Sequence, residues 1–308
     1  MNRRELLKAL GVTTAVSILP RLSTAEAIYK ANTSFTYCLN MATIHGHNLG
    51  FIKELEAASK AGFKAVEIWI DSLQTYLHNG GTLKDTKKRL DDLGLKVENA
   101  IGFAEWIAED EAKRIAGIEQ MKREMEMLAQ IGCKRTAAPP MGATGTPVLD
   151  LKKVAERYRT ILELGDKTEV VPQLEMWGFS KNLSQVSDVM YTAIETGHPS
   201  ARVLLDIFHL YKGGSSINTL PLINNSAIEI LHVNDYPGNL SASAITDADR
   251  IYPGDGVAPI RRVLQILKNP ERSLIISCEV FNKNYYKQDA LEVTKTALAK
   301  MKAVTQGI

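Results

Sequence analysis

The chain has 308 residues, 45% of them hydrophobic and 23% charged, with a formal net charge of +2. That composition supports a large buried core, and it lacks the clustered positive charge that sequence-independent nucleic-acid binding needs. Cys38, Cys133 and Cys278 are odd in number and each sits in an apolar run, so they read as core thiols rather than a disulfide framework.

Residues 1–27 read as a removable export signal. Arg3-Arg4 precede the largely apolar run Ala9–Pro20, and Ala25-Glu26-Ala27 supplies a small-x-small cleavage pattern. The stretch from Asn2 to Lys8 is similar to the twin-arginine motif, which is read by machinery that exports folded proteins. The apolar run is shorter than the about 20 residues that cross a bilayer comfortably. The expectation is a periplasmic or otherwise exported protein with no membrane anchor in its mature form. The signal holds four basic and two acidic side chains, so residues 28–308 are formally neutral.

Eight short, near-continuously apolar runs then follow in order: Phe35–Met41, Lys64–Ile70, Leu95–Phe103, Cys133–Pro139, Glu169–Met176, Arg202–Phe208, Ala227–Val233 and Leu274–Phe281. Runs of that kind suit strands buried on both faces. Between them, Phe51–Lys60, Glu111–Gln130, Leu151–Leu164, Leu183–Thr196, Pro259–Leu267 and Ala290–Met301 carry the apolar spacing of amphipathic helices. Gly62-Phe63-Lys64, Gly94-Leu95-Lys96 and Gly132-Cys133-Lys134 repeat at intervals of 32 and 38 residues, each ending a helix pattern where a strand begins. The pattern predicts one (β/α)8 TIM barrel over residues 28–308, a fold that commonly needs about 250 residues. An open doubly wound sheet is the alternative, but no glycine-rich phosphate loop follows the first run.

Four potential metal ligands stand at the ends of four successive runs: Glu175, Asp206, His232 and Glu279. Parallel barrel strands converge on one rim, so residues 31, 26 and 47 positions apart become neighbours there. One such acid usually pairs with a base or caps a helix, and one such histidine is usually a satisfied core residue. Three carboxylates buried together are different, because they are costly without a cation. The set suits one hard divalent ion, Mn2+ first, with Zn2+, Co2+ and Mg2+ as alternatives. Around it, Arg250 in the long loop Asp235–Val257 is a candidate clamp for a substrate hydroxyl, with a solvated surface arginine as the competing reading. Trp69, Phe103, Trp106 and Trp177 lie at or beyond strand ends, where they either stack on a sugar or pack the rim. His47 and His45 follow the first strand on that rim, and Glu67 and Lys181 carry weaker signals.

The stretches Leu205-Asp206-Ile207-Phe208-His209, His232-Val233-Asn234-Asp235-Tyr236-Pro237, Tyr252-Pro253-Gly254-Asp255-Gly256 and Ser277-Cys278-Glu279-Val280-Phe281-Asn282 resemble the xylose-isomerase-like barrels of the sugar phosphate isomerase/epimerase superfamily. The resemblance covers essentially residues 28–308. It implies metal ligation by Glu175, Asp206, His232 and Glu279, and a substrate contact from His209. It also implies that Glu175 and Glu279 carry protons on opposite faces of the substrate. The implied reaction is isomerisation or epimerisation through an enediolate. Loss of a substituent from a 3-keto-glycoside or inosose, by a lyase or dehydratase, needs the same groups. Export points to an unphosphorylated carbohydrate substrate. An apurinic-site nuclease of the same architecture needs many histidines and a basic groove, and this chain has six histidines and a neutral mature surface. A non-catalytic sugar-binding protein is the distant alternative, and the sequence leaves oligomeric state open.

Overall fold

The computed structural model describes residues 35–308. The expected signal segment, residues 1–27, lies outside the described residues. Eight parallel strands are present, one in each predicted run: β1 (Phe35–Asn40), β2 (Ala65–Trp69), β3 (Lys96–Ile101), β4 (Arg135–Ala138), β5 (Val171–Glu175), β6 (Arg202–Asp206), β7 (Ile230–Val233) and β8 (Leu274–Cys278). Their order is β3-β2-β1-β8-β7-β6-β5-β4, each pairing its neighbour in parallel. Side chains bridge the remaining seam between β3 and β4: Thr136 Oγ1 donates to the Ala100 carbonyl at 3.2 Å and Arg135 Nη1 to that of Glu98 at 3.3 Å. The result is a nearly closed TIM barrel.

Ten α-helices lie among the described residues: α1 (Ala42–His45), α2 (Phe51–Ala61), α3 (Ile70–His78), α4 (Leu83–Leu93), α5 (Glu111–Gln130), α6 (Leu151–Thr168), α7 (Val186–Glu195), α8 (Ile207–Lys212), α9 (Ile260–Leu267) and α10 (Ala290–Thr305). The repeated glycines end helices as expected, with Gly62, Gly94 and Gly132 at φ 99°, 62° and 82°. Helix α7 starts three residues later than its periodicity predicts. Leu183 takes φ 55°, and Gln185 and Asp188 close a reciprocal cap that fixes the first turn at Val186. Helix α9 buries Ile260, Val263, Leu264 and Leu267 at i, i+3, i+4 and i+7, each contributing about 1.5–3 kcal/mol by area removed from water. Among the described residues no helix is long and apolar enough to cross a membrane.

Strand side chains alternate, and the alternation stacks the interior in layers. Arg135, Arg202, Glu98 and Glu229 pair at the end where the strands begin. Above them Cys38, Ala65, Ile101, Ala137, Leu204, Ile230 and Ile275 form a buried apolar layer. Two residues further along their strands come Asn40, Glu67, Asp206 and His232, and Glu175 joins them from the end of β5. The three cysteines are free and buried, as expected of core thiols.

One contact ties this frame to the rim. Gly178, just after β5, packs on the end of α8; a Cβ there would lie 2.4 Å from the His209 carbonyl oxygen and 2.5 Å from the Gly213 nitrogen. Gly178→Ala is therefore expected to cost about 1–3 kcal/mol by forcing α8 outward. Urea unfolding checks it, and an unchanged midpoint would show that the helix yields freely.

Candidate functional site

Each polar residue of the top layer is there for a local reason. Asp206 ends β6 and also caps α8, its Oδ1 accepting the His209 N–H at 3.1 Å. One strand can thus turn straight into a helix without losing its carboxylate from the barrel mouth. Asn234, after β7, donates from Nδ2 to both Asp206 oxygens at 3.1 Å and accepts the Phe208 N–H at 3.0 Å. A register shift between β2 and β3 pairs Glu67 with Asn99 and passes over Glu98. Such a bulge re-aims side chains, and here Asn99 Nδ2 donates to Glu67 Oε1 at 2.6 Å.

All four predicted ligands are buried around one point. His232 Nδ1 lies 3.2 Å from Glu279 Oε2, 3.6 Å from Asp206 Oδ2 and 3.8 Å from Glu175 Oε1. An ion bonded at about 2.1 Å to each of several donors spaces them about 3.0–3.4 Å apart, so the cluster has nearly the required size. Asp206, His232 and Glu279 form the tight group, with ligand atoms within 4.8 Å of one another. Glu175 stands slightly apart. His232 Nδ1 and Glu175 Oε2 have no hydrogen-bond partner among the described residues although both are buried. Orphaned buried donors and acceptors need an explanation, and a cation between them supplies one. The residues present fit a divalent ion.

Arg250 is not a solvated surface side chain. It is 1% exposed and reaches in from the long loop. Its Nη1 donates to Asp206 Oδ2 at 2.6 Å and to Glu279 Oε2 at 2.8 Å, and its Nε donates to Asp247 at 3.0 Å. Its Nη2 meets His209 Nε2 at 3.2 Å. Arginine only donates, so that imidazole nitrogen carries the lone pair and the proton sits on Nδ1, which has no partner among the described residues. The loop that carries Arg250 is tied down by Asp235. Its carboxylate accepts the N–H groups of Gly254 at 3.0 Å, Gly256 at 3.0 Å and Ala258 at 2.8 Å.

The charges are unevenly compensated. Burial first, then the Glu279 and Glu67 charges, push Glu175 up to about 8 against the opposing pull of His232. Burial alone would lower the His232 pKa, but Glu279 and Glu67 outweigh it and hold the imidazolium well above its ordinary range. Asp206 is buried too, yet Arg250 keeps it well below the usual carboxylate range. Burial drops His209 to about 4, so it is neutral at pH 7.

Aromatic rings wall a cavity of about 530 Å3 above this cluster. Trp69 stacks on His45 at 4.5 Å and meets Phe103 edge-on at 5.6 Å; Trp177 stacks on Phe179 at 5.2 Å. Trp69, Trp177, His209 and Arg250, all predicted to touch substrate, line it with Glu175 and Glu279. His47 does not. Its two ring nitrogens lie 3.1 Å and 3.0 Å from the carbonyls of Ile44 and Gln288, and His45 takes the lining position instead. Trp106 is fully buried against the Pro139 carbonyl, and Lys181 is exposed in a loop.

The largest correction concerns Glu67, which carried only a weak signal. It is wholly buried and accepts from Asn99, from Asn40 at 2.9 Å, from Ser277 Oγ at 2.6 Å and from His232 Nε2 at 3.0 Å. That last bond holds the ring so that Nδ1 faces the acids. Asn40 also donates to Glu279 Oε1 at 2.9 Å, which links the two carboxylates.

This barrel, with its acidic mouth, belongs to a known class: the chain is a member of the xylose isomerase-like TIM barrel family, whose model matches residues 55–304. It is similar to the inosose isomerase of Halalkalibacterium halodurans, 30% identical over 267 residues, which cover 84% of this chain and 93% of the relative. It is also similar to the 3-dehydro-D-guloside 4-epimerase of Escherichia coli, 22% identical over 202 residues and covering 60% and 72% of the two chains. Among solved structures, the IOLI protein with a binding zinc atom superposes with a TM-score of 0.80 at 24% identity, covering 87% of this chain and 97% of that one.

Two outcomes follow from the site's charges. Glu67→Gln replaces one acceptor oxygen with an NH2 that faces two of the four donating groups, so divalent-ion affinity is expected to fall about 10–100-fold with the fold retained. Titration calorimetry alongside circular dichroism measures both. Ion binding must also displace the protons held by His232 and Glu175, so affinity is expected to rise with pH and to weaken as pH falls through 8. Calorimetry from pH 6 to 9 should show proton release; a flat profile would contradict the protonation states given above.

Proposed function

We propose that the chain is a divalent-metal-dependent isomerase or epimerase acting on an unphosphorylated ketose or related sugar. The observation that carries this reading is the pair Glu175 and Glu279. Glu175 ends β5 and Glu279 directly follows β8, three strands apart around the barrel, and both line the aromatic cavity above the ion-sized cluster. A divalent ion held by Glu175, Asp206, His232 and Glu279, with Mn2+ preferred for an oxygen-rich set, would polarise a carbonyl and its neighbouring hydroxyl.

The protein's own groups supply the rest. In this reading Glu175 and Glu279 take the proton of the hydroxyl-bearing carbon next to the carbonyl on one face and return one on the other. Proton transfer by a positioned side chain contributes typically about 10²–10⁴-fold. Neutral His209, with its unpartnered Nδ1–H, is oriented to donate to an oxygen that gains charge as the C–H bond breaks. The aromatic walls exclude water and offer flat faces to a sugar ring.

An unphosphorylated substrate agrees with the cavity's few cations. Arg250 is committed to Asp206, Asp247 and Glu279, and Lys283 is exposed at the rim. It also agrees with export by the twin-arginine route, which we propose from residues 1–27 alone.

The test is uptake of solvent deuterium into inososes and ketoses by ion-loaded protein. Exchange is expected in the wild type, and Glu175→Gln and Glu279→Gln are each expected to lower it by about 10²–10⁴. Chelation should abolish it, and exchange that survives chelation would overturn the proposal. Product mass separates the outcomes: an unchanged mass is isomerisation, whereas loss of water or an aglycone would assign the chemistry to elimination.

A further inference from the structure

A second cavity, of about 370 Å3, opens beside the aromatic one. Its walls come from the segment after β1 and from α2 and α3, all on the rim where the strands end. His45 lines both cavities, lying on Trp69 of the first while bordering the second.

Glu54 sets this cavity apart. It is 3% exposed, and its Oε2 is buried without a hydrogen-bond partner among the described residues. Burial, with the Asp71 charge adding, pushes its carboxyl up to about 7. His45 Nδ1, also in the lining, is likewise buried without a partner among the described residues. Buried polar groups are ordinarily bonded, and two orphans bordering one cavity mark a place where a ligand brings the missing partners.

The lining says what kind of ligand. Among the described residues no lysine or arginine borders the cavity, which does not favour an anion. Asn48, Ser72, Thr75 and Asn79 offer neutral donors and acceptors. Phe51 and Tyr76, with ring centroids 5.7 Å apart, form the apolar wall. Mixed polar groups facing a flat aromatic surface match a ring with hydroxyls at its edge and C–H groups on its face. A cation would use the two acids alone. Asp71 is half-committed to the Ser72 N–H at 2.7 Å, and the four neutral side chains would then have no part.

We propose that this cavity is a second carbohydrate subsite, holding the adjacent ring of a glycoside whose reacting ring occupies the aromatic cavity, an assignment that rests on the sugar chemistry proposed above. Glu54 and His45 contact the ring's hydroxyls, and Tyr76 contacts its face.

The experiment measures binding of cellobiose and of glucose to the full chain by saturation-transfer NMR and calorimetry, in wild type, Glu54→Leu and Thr75→Trp. Cellobiose is expected to bind the wild type at least about tenfold tighter than glucose, and both variants should bring that ratio close to one. Glu54→Leu should also raise the melting temperature, because it removes an unpartnered buried carboxyl. Thr75→Trp fills the cavity from an exposed position and tests the subsite even if Glu54→Leu misfolds. Equal affinity for the two sugars in wild type, or a ratio unchanged by either variant, overturns the subsite. Displacement by methylammonium with no sugar preference overturns it in favour of a cation pocket. Deuterium exchange without two-ring preference would leave the proposed reaction standing and remove only the subsite. Loss of exchange with the preference intact would do the reverse.

Discussion

Four carboxylates, Glu67, Glu175, Asp206 and Glu279, are packed into the mouth of one barrel at 5% exposure or less. Taking even one such charge from water costs several kcal/mol unless it is paired and hydrogen-bonded. Two bases answer them, His232 and Arg250, together with the amides of Asn40, Asn99 and Asn234. The compensation is incomplete at Glu175, which has no arginine and drifts toward the neutral acid. The rest of the site is organised around that shortfall. It leaves a vertex that a doubly charged ion completes and a carboxyl ready to exchange a proton.

The barrel makes such crowding tolerable by holding each acid on a different strand. Beneath them the apolar layer from Cys38 to Ile275 sets the spacing, and the ion pairs of Arg135 and Arg202 close the far end. Glu67 performs a different service from the other three acids. Its four donors use up its oxygens, so it acts as a fixed anchor for His232 rather than as a ligand. A ring held through Nε2 presents Nδ1 in one orientation, which a freely turning histidine would not do.

Much of this is legible in the sequence, for identifiable reasons. Buried strands write continuous apolar runs, and a carboxylate or imidazole that interrupts the end of such a run stands out. Glu175, Asp206, His232 and Glu279 all do so. Helices α3 and α8 are harder to see, because Ile70 and Ile207 begin them directly at the strand ends, with no intervening loop. Asn40, Asn99 and Ser277 carry no signal, since such residues are ordinary near strand ends; only the register shift on β3 brings Asn99 to Glu67. His45 and His47 are indistinguishable as text. The short helix α1 and its turn decide which ring enters the cavity, and Gly46 between them leaves room for the ring of Tyr286, which a Cβ would approach to 2.2 Å. Arg250 sits in a loop of no regular pattern, and its place follows from the way Asp235 gathers the loop's amides.

That guanidinium has a thermodynamic corollary. Asp206 Oδ2 and Glu279 Oε2, the oxygens it grips, are also those that face His232 Nδ1. Any cation arriving there shares them with a side chain that cannot shed its own charge, so loop docking and ion occupancy draw on the same two atoms. Coupling of that kind is reciprocal. A change that frees the Arg250 segment would tighten the hold on the ion, and a saturating ion would in turn loosen the segment by the same free energy, which makes the loop and the centre two readouts of a single equilibrium.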